Sequence, residues 1–263
     1  MSNASGLEEL RKQIDELDRQ LIELLSERAN VVVNVGKLKR DSESPIYVPH
    51  RERAVLDRVL AINNGPLSNK TIEAIYRELM SGSFQLEKPL AIAHLAPVGS
   101  FSHIAAIRHF GSSVECLGVP SIERVFREVA AGHCNYGLVP YENSTSGGVT
   151  DTLDAFHEHD VTIYAEALID IKHCLLCNGN PSSIRSIASK PQVISQCRKW
   201  INAMYPDVEI IETVSSAQAV TLAANDSQVA AIGSTLASKE HGVDIAIDNV
   251  QDRSENITRF LVL

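Results

Sequence analysis

The chain has 263 residues, 33 of them acidic against 24 Lys and Arg, for a formal net charge of −9 at pH 7. That length admits two domains, each with its own core, and the acidic balance excludes a general nucleic-acid or acidic-membrane surface, so an anionic ligand must meet a local basic patch. No apolar run approaches the roughly 20 residues that span a bilayer, MSNASGLEELRKQ has no signal-peptide core, and Cys116, Cys134, Cys174, Cys177 and Cys197 are scattered like free thiols, so a soluble cytoplasmic protein is expected.

From the N-terminus, Leu7, Leu10, Ile14, Leu17, Leu21, Leu24, Val31, Val35 and Leu38 recur in steps of three and four. This is a heptad seam on one long helix, interrupted at position 28. The helix should stop near Arg40, because Asp41-Ser42-Glu43-Ser44-Pro45 is turn chemistry and Pro45 disfavours continuation. A second helix starts at Pro49 and runs to about Ile62. After Asn63-Asn64-Gly65-Pro66 a third, capped by Ser68 or Asn69, reaches about Glu87. Residues 1–88 thus read as an all-α domain of three helices.

At Lys88-Pro89 the pattern changes. Short β-rich runs at Leu90 to Leu95, Val114 to Val119, Tyr136 to Tyr141 and Val161 to Cys174 alternate with helical patterns at Ser102 to Phe110 and Ile122 to Gly132. A second cycle places strands at Ile184 to Ser189, Val208 to Val214 and Val229 to Gly233, with helices from Pro191 and from Ser215 or Ser216, and Thr258 to Leu263 as a last strand. Such alternation argues for parallel sheets covered by helices. Two cycles predict an α/β domain over 89–263 with two lobes, one about 89–165 plus 246–263 and the other about 166–245, and a cleft between them.

Arg28 occupies the seam position that an aliphatic residue should hold, and a buried guanidinium is costly unless an anion meets it. Snorkelling to the surface, or pairing with Glu27, would also account for it. Arg11 and Lys39 share one heptad position flanking the same seam, but they are 28 residues apart. On a straight helix that is about 42 Å, too far for one small ligand. If both serve one site, two copies of the helix must run antiparallel, which implies a homodimer intertwined through its N-terminal helices.

The segments LRKQIDELDRQLIELLSERANVVVNVGKLK, YVPHRERAVL and IYRELMSGSFQLE closely resemble the all-helical chorismate mutases that are fused to prephenate dehydratases. The resemblance implies that Arg11, Arg28, Lys39, Arg51, Glu52, Ser83 and Glu87 bind chorismate, with Arg11 entering from the partner subunit. Arginines offer planar bidentate donors to its two carboxylates, and Lys39 can stabilise the ether oxygen that gains negative charge as its bond stretches. Glu87, where some relatives carry glutamine, must be protonated to donate there, so the mutase rate should rise as pH falls. Val48 stands where some relatives place an acid, and no such contact is expected from it.

In the α/β part, Pro97-Val98-Gly99-Ser100-Phe101-Ser102, Glu142-Asn143-Ser144-Thr145-Ser146-Gly147-Gly148 and Val214-Ser215-Ser216-Ala217 put small hydroxyl residues before helical patterns. Ordinary capping explains any one of them, while carboxylate binding at helix N-termini suits the set. The segments VPYENSTSGGV, ASKPQVISQC and ENITRFLVL resemble the prephenate dehydratases from about Leu90 to Leu263. That family's fold is similar to periplasmic-type binding proteins, with the active site in the cleft. The resemblance implies that Thr258 is the essential threonine, that Ser100, Asn143, Ser144, Thr145, Asn256 and Arg259 bind prephenate, and that phenylpyruvate is the product. Thr258 would donate or relay a proton to the departing ring hydroxyl, and Arg259 or a loop N-terminus would hold the pyruvyl carboxylate.

Ala96 replaces the glycine usual in the family's first loop. Most relatives continue into a small phenylalanine-binding domain; this chain stops at Leu263, so no phenylalanine inhibition by that route is expected. Cys174-Leu175-Leu176-Cys177 is a lone CxxC better read as buried thiols than as zinc ligands, and His157-Glu158-His159 lies at a polar helix end. No metal, nucleotide or redox cofactor is called for. Two rivals share these features: a mutase fused to a prephenate decarboxylase, or to a non-catalytic prephenate sensor.

Overall fold

A computed structural model describes residues 2–41 and 47–263. The chain divides into two compact units, Met1–Pro89 and Leu90–Leu263.

The first unit consists of α1 (Ser2–Asp41), α2 (Pro49–Ile62) and α3 (Asn69–Glu87). Pro49 stands in the first turn of α2, where its missing N–H costs nothing. Ser68 caps α3, its hydroxyl accepting from the Thr71 N–H at 3.2 Å. The expected turn over Ser42-Glu43-Ser44-Pro45 lies outside the described residues. The α1 and α3 backbones approach closely at Gly36, where a Cβ would stand 2.9 Å from Glu87 Cα. Tyr47 and Phe84, both buried, meet edge to face at 5.8 Å. Of the nine seam residues, Val35 is partly buried; the other eight, from Leu7 to Leu38, are 52% to 70% exposed in the single chain.

The second unit is α/β. Its elements are β1 (Ala91–Leu95), α4 (Phe101–Phe110), β2 (Glu115–Val119), α5 (Ile122–Ala130), β3 (Tyr136–Asn143), β4 (Gly147–Gly148), α6 (Thr150–Glu158), β5 (Ala165–Asp170), β6 (Cys174–Leu176), β7 (Ser186–Ser189), α7 (Pro191–Gln196), α8 (Arg198–Met204), β8 (Glu209–Glu212), α9 (Ser216–Asn225), β9 (Val229–Gly233), α10 (Thr235–His241), β10 (Ile245–Ile247) and β11 (Ile257–Val262). One sheet has the order β2-β1-β3-β11-β5, with β4 on β3, and the other β10-β6-β9-β7-β8.

Helix α5 shows how the sequence seats these layers. Ile122, Val125 and Phe126 fall on one buried face, and Phe126 packs with Val139 and Leu261 of the first sheet. Glu123 and Arg127 pair on the exposed side. The core of the second sheet gathers Ile187, Ile194, Ile201 and Ile232.

Three details depart from the sequence-based expectation. The sheets are mixed rather than parallel, since β11 runs antiparallel to both β3 and β5, and β6 antiparallel to β9 and β10. The run Val161 to Cys174 is not one strand but two in different sheets, because the chain crosses over at Ile171-Lys172-His173. The return crossover lies alongside: Ile171 N–H donates to Asn256 O at 2.7 Å, and Val250 N–H to His173 O at 2.9 Å. Strand β5 therefore belongs to the first lobe and β10 to the second, shifting both expected lobe boundaries. The helix from Pro191 also breaks at Cys197 (φ −116°, ψ 9°) into α7 and α8.

Candidate active sites

In the helical unit a cavity of about 260 Å³ is lined by Arg28, Lys39, Arg51, Glu52, Ser83 and Glu87, with a wall of Val31, Val32, Val35, Val48, Val55, Met80 and Phe84. Helix periodicity assembles it: Arg28, Val32, Val35 and Lys39 recur along one side of α1, while Met80, Ser83, Phe84 and Glu87 do so on α3. Arg28 Nη1 donates to Ser83 Oγ at 2.9 Å, and the Ser83 hydroxyl in turn donates a hydrogen bond to Leu79 O at 2.7 Å. Lys39 Nζ donates to Glu87 Oε2 at 2.8 Å, with both side chains largely buried. Burial pushes the Glu52 carboxyl up to about 7 against the opposing pull of Arg77, and its Oε1 is buried without a hydrogen-bond partner.

Six of the seven expected residues thus meet in one cavity. Arg11 does not: its side chain is exposed and lies 3.8 Å from Glu8. Val48 contributes an apolar wall. The arrangement offers three cations to an anion, beside two carboxyl groups that favour a dianion only when protonated.

In the α/β unit a cavity of about 280 Å³ lies between the two sheets, with Thr258, Asn143 and Ser100 among its lining. Thr258 and Asn143 are register partners on β11 and β3. Asn143 Nδ2 donates to Thr258 Oγ1 at 2.8 Å and to Asn256 Oδ1 at 2.7 Å. Its Oδ1 accepts from Thr145 N–H at 2.9 Å, Thr145 Oγ1 at 2.5 Å, and Ser146 N–H and Oγ, each at 3.1 Å. Asn143 therefore ties the loop to the strand pair and occupies a lone pair of Thr258, leaving the threonine proton for a ligand.

The other expected residues support this centre or stand apart. Asn256 is buried as a partner of Asn143. Ser144 accepts from Ile257 N–H at 3.0 Å, and Thr145 is held by Asn143; none of these three lines the cavity. Arg259 also stays out of it. Strand alternation turns Thr258 and Phe260 inward and Arg259 to the opposite face, where its Nε lies 4.0 Å from Glu166. Arg259, expected to hold the pyruvyl carboxylate with a loop N-terminus as the alternative, is therefore not among the residues lining this cavity.

Ser100 caps α4, accepting from His103 N–H at 3.2 Å while donating to Leu95 O at 3.0 Å. Gly99 beside it adopts φ +81°, and a Cβ there would meet Ala237 Cα at 3.0 Å. Its N–H donates to His103 Nδ1 at 3.1 Å, and its carbonyl accepts from Ser234 Oγ at 2.7 Å. This loop of the first lobe is thereby docked on the start of α10 in the second.

Sequence reasoning missed His173, Lys190, Gln196 and Ser234, which also line the cavity. His173 is buried, packs edge to face on Phe101 at 5.4 Å and shares a 2.8 Å hydrogen bond with Gln196 through Nε2. Burial holds its imidazole below the usual range, so it is neutral near pH 7. A single histidine in an apolar run carries no sequence signal for this role. Lys190 and Gln196 sit in the ASKPQVISQC segment, which could have indicated them.

Comparison with known proteins identifies both parts. Residues 10–88 match the model of chorismate mutase type II, and residues 92–263 match that of prephenate dehydratase. The two cavities thus belong to an isomerase domain and a lyase domain on one chain. The chain belongs to the bifunctional chorismate mutase/prephenate dehydratase family. It is 41% identical to the protein of that name from Stutzerimonas stutzeri over 270 residues, covering 100% of this chain and 74% of the relative. The Aquifex aeolicus counterpart is 37% identical over 262 residues, covering 98% and 72%. Among solved structures, prephenate dehydratase from Arthrobacter aurescens in complex with L-Phe is 28% identical with a TM-score of 0.60, over 66% of this chain and 59% of that one.

Proposed function

We propose that this chain converts chorismate to prephenate in the helical cavity and prephenate to phenylpyruvate in the α/β cavity. In the first reaction Arg28 and Arg51 bind the two carboxylates, and Lys39 stabilises the ether oxygen as its bond to the ring stretches. The Lys39–Glu87 ion pair has to loosen for this. Arg11 completes the site from a second copy of the chain, because α1 holds it about 42 Å from Lys39. A homodimer through α1 accounts for that and for the exposed apolar seam. Both reactions act on small metabolites, and a cytoplasmic location goes with this proposal; among the described residues no helix is long and apolar enough to cross a membrane.

In the second reaction the bond from the ring to its carboxylate breaks, and its electrons enter the ring. The ring hydroxyl leaves with one proton as water, so prephenate and a proton yield phenylpyruvate, carbon dioxide and water. The state of the Thr258 hydroxyl carries the proposal: Asn143 donates to its oxygen, so its own proton is directed elsewhere. A threonine hydroxyl does not ionise near neutral pH, so it acts through an oriented hydrogen bond.

Purified protein given chorismate is expected to release phenylpyruvate, and Thr258→Ala to accumulate prephenate with phenylpyruvate formation reduced by about 100-fold or more. A wild-type chain that stops at prephenate would leave the α/β unit as a sensor. Release of carbon dioxide without aromatisation would make it a decarboxylase.

A further inference from the structure

The α/β cavity presents a charge problem. Prephenate is a dianion, yet the expected arginine, Arg259, faces away from the cavity toward Glu166. Among the described lining residues, the basic side chains are His173 and Lys190, and no carboxylate is present. His173 is neutral near pH 7, buried and bonded to Gln196. Lys190 remains as the lining residue with a full positive charge.

We propose that Lys190 is the substrate-binding residue that neutralises a carboxylate of the dianion in the α/β cavity; this rests on the dehydratase reading above. The backbone of Lys190 is fixed on both sides. Ser189 donates to Ile232 O at 2.7 Å, Pro191 opens α7, and Lys190 O accepts from Ile194 N–H at 3.0 Å. The side chain makes no capping hydrogen bond, and no carboxylate within ion-pair distance of it is seen among the described residues. An ammonium on a pinned backbone, at the rim of a cavity without acidic groups, attracts a dianion from solvent and holds it by charge rather than by geometry. The remaining carboxylate is met by neutral donors, which suits a group that must leave as carbon dioxide.

The test compares wild type, Lys190→Met and Lys190→Arg in the full chain with prephenate as substrate. KM is expected to rise about tenfold in Lys190→Met with kcat within about threefold, and Lys190→Arg to stay within about threefold of wild type. Added salt should raise the wild-type KM and barely move that of Lys190→Met. A kcat for phenylpyruvate formation within about threefold of wild type reports that the α/β unit of each variant is folded. A Lys190→Met KM within about twofold of wild type, or an unchanged salt response, overturns the proposal. If wild type makes no phenylpyruvate, the dehydratase reading falls separately. Lys190 is then judged by calorimetric prephenate binding in a Lys39→Met background: about tenfold weaker binding in Lys190→Met supports it, and equal or absent binding overturns it.

Discussion

Glu52 shows how a single side chain couples site chemistry to pH. Burial raises its carboxyl to about 7, with Arg77 pulling the other way, so lowering the pH from 8 to 6 converts it from mostly charged to mostly neutral. A neutral carboxyl can donate to a substrate hydroxyl, whereas a charged one repels a dianion. The mutase kcat/KM is therefore expected to rise about five- to tenfold over that interval, and Glu52→Gln to flatten the rise. A profile that persists unchanged in Glu52→Gln would show that Glu52 is not the group responsible. The sequence placed both carboxyls in the site through the resemblance. It could not show that Glu52 Oε1 is buried unpaired or that Glu87 meets Lys39, because both depend on contacts across helices.

At the scale of elements, the helical cavity depends on how near α1 comes to α3. Gly36 permits that approach, since a Cβ would lie 2.9 Å from Glu87 Cα, a backbone atom with no room to give. Alanine is the better helix former by about 1 kcal/mol, so a loss in Gly36→Ala would come from separated helices rather than from a weakened α1. Gly36→Ala is expected to lower mutase kcat/KM by about tenfold or more while leaving phenylpyruvate formation from prephenate unchanged, both measured on one preparation. Equal mutase rates would show that α3 can shift without disturbing Lys39 and Glu87. The periodicity that predicted the helices is blind to this glycine, because it records which face is apolar and not how closely two faces approach.

For the whole molecule, the decisive feature is the seam of α1. Residues patterned for burial are more than half exposed in one chain, Leu17 at 62% and Leu24 at 63%, and burying each such leucine contributes about 1.5–3 kcal/mol. On the proposed homodimer, the double variant Leu17→Asp, Leu24→Asp is expected to sediment as a monomer and to lose mutase activity, because the proposed Arg11 contribution is removed, while dehydration of prephenate continues. A monomeric variant with full mutase activity would show that one chain completes the site alone.

The sequence by itself determined the division near residue 89, the three helices and the positions of most strands, because periodicity and turn chemistry are local properties, and its family motifs nominated the candidate site residues. It also predicted a second copy of α1 from the separation of Arg11 and Lys39, a distance set by helical rise alone. Only the tertiary structure decided which lobe receives β5 and β10, that Arg259 turns out of the cleft while Thr258 turns in, and that His173, Gln196 and Lys190 join the cavity. Those outcomes depend on strand pairing and crossovers between residues tens of positions apart, such as Thr258 with Asn143. Pairing of that kind is chosen by the packing of the whole α/β unit, and a local pattern carries no record of it.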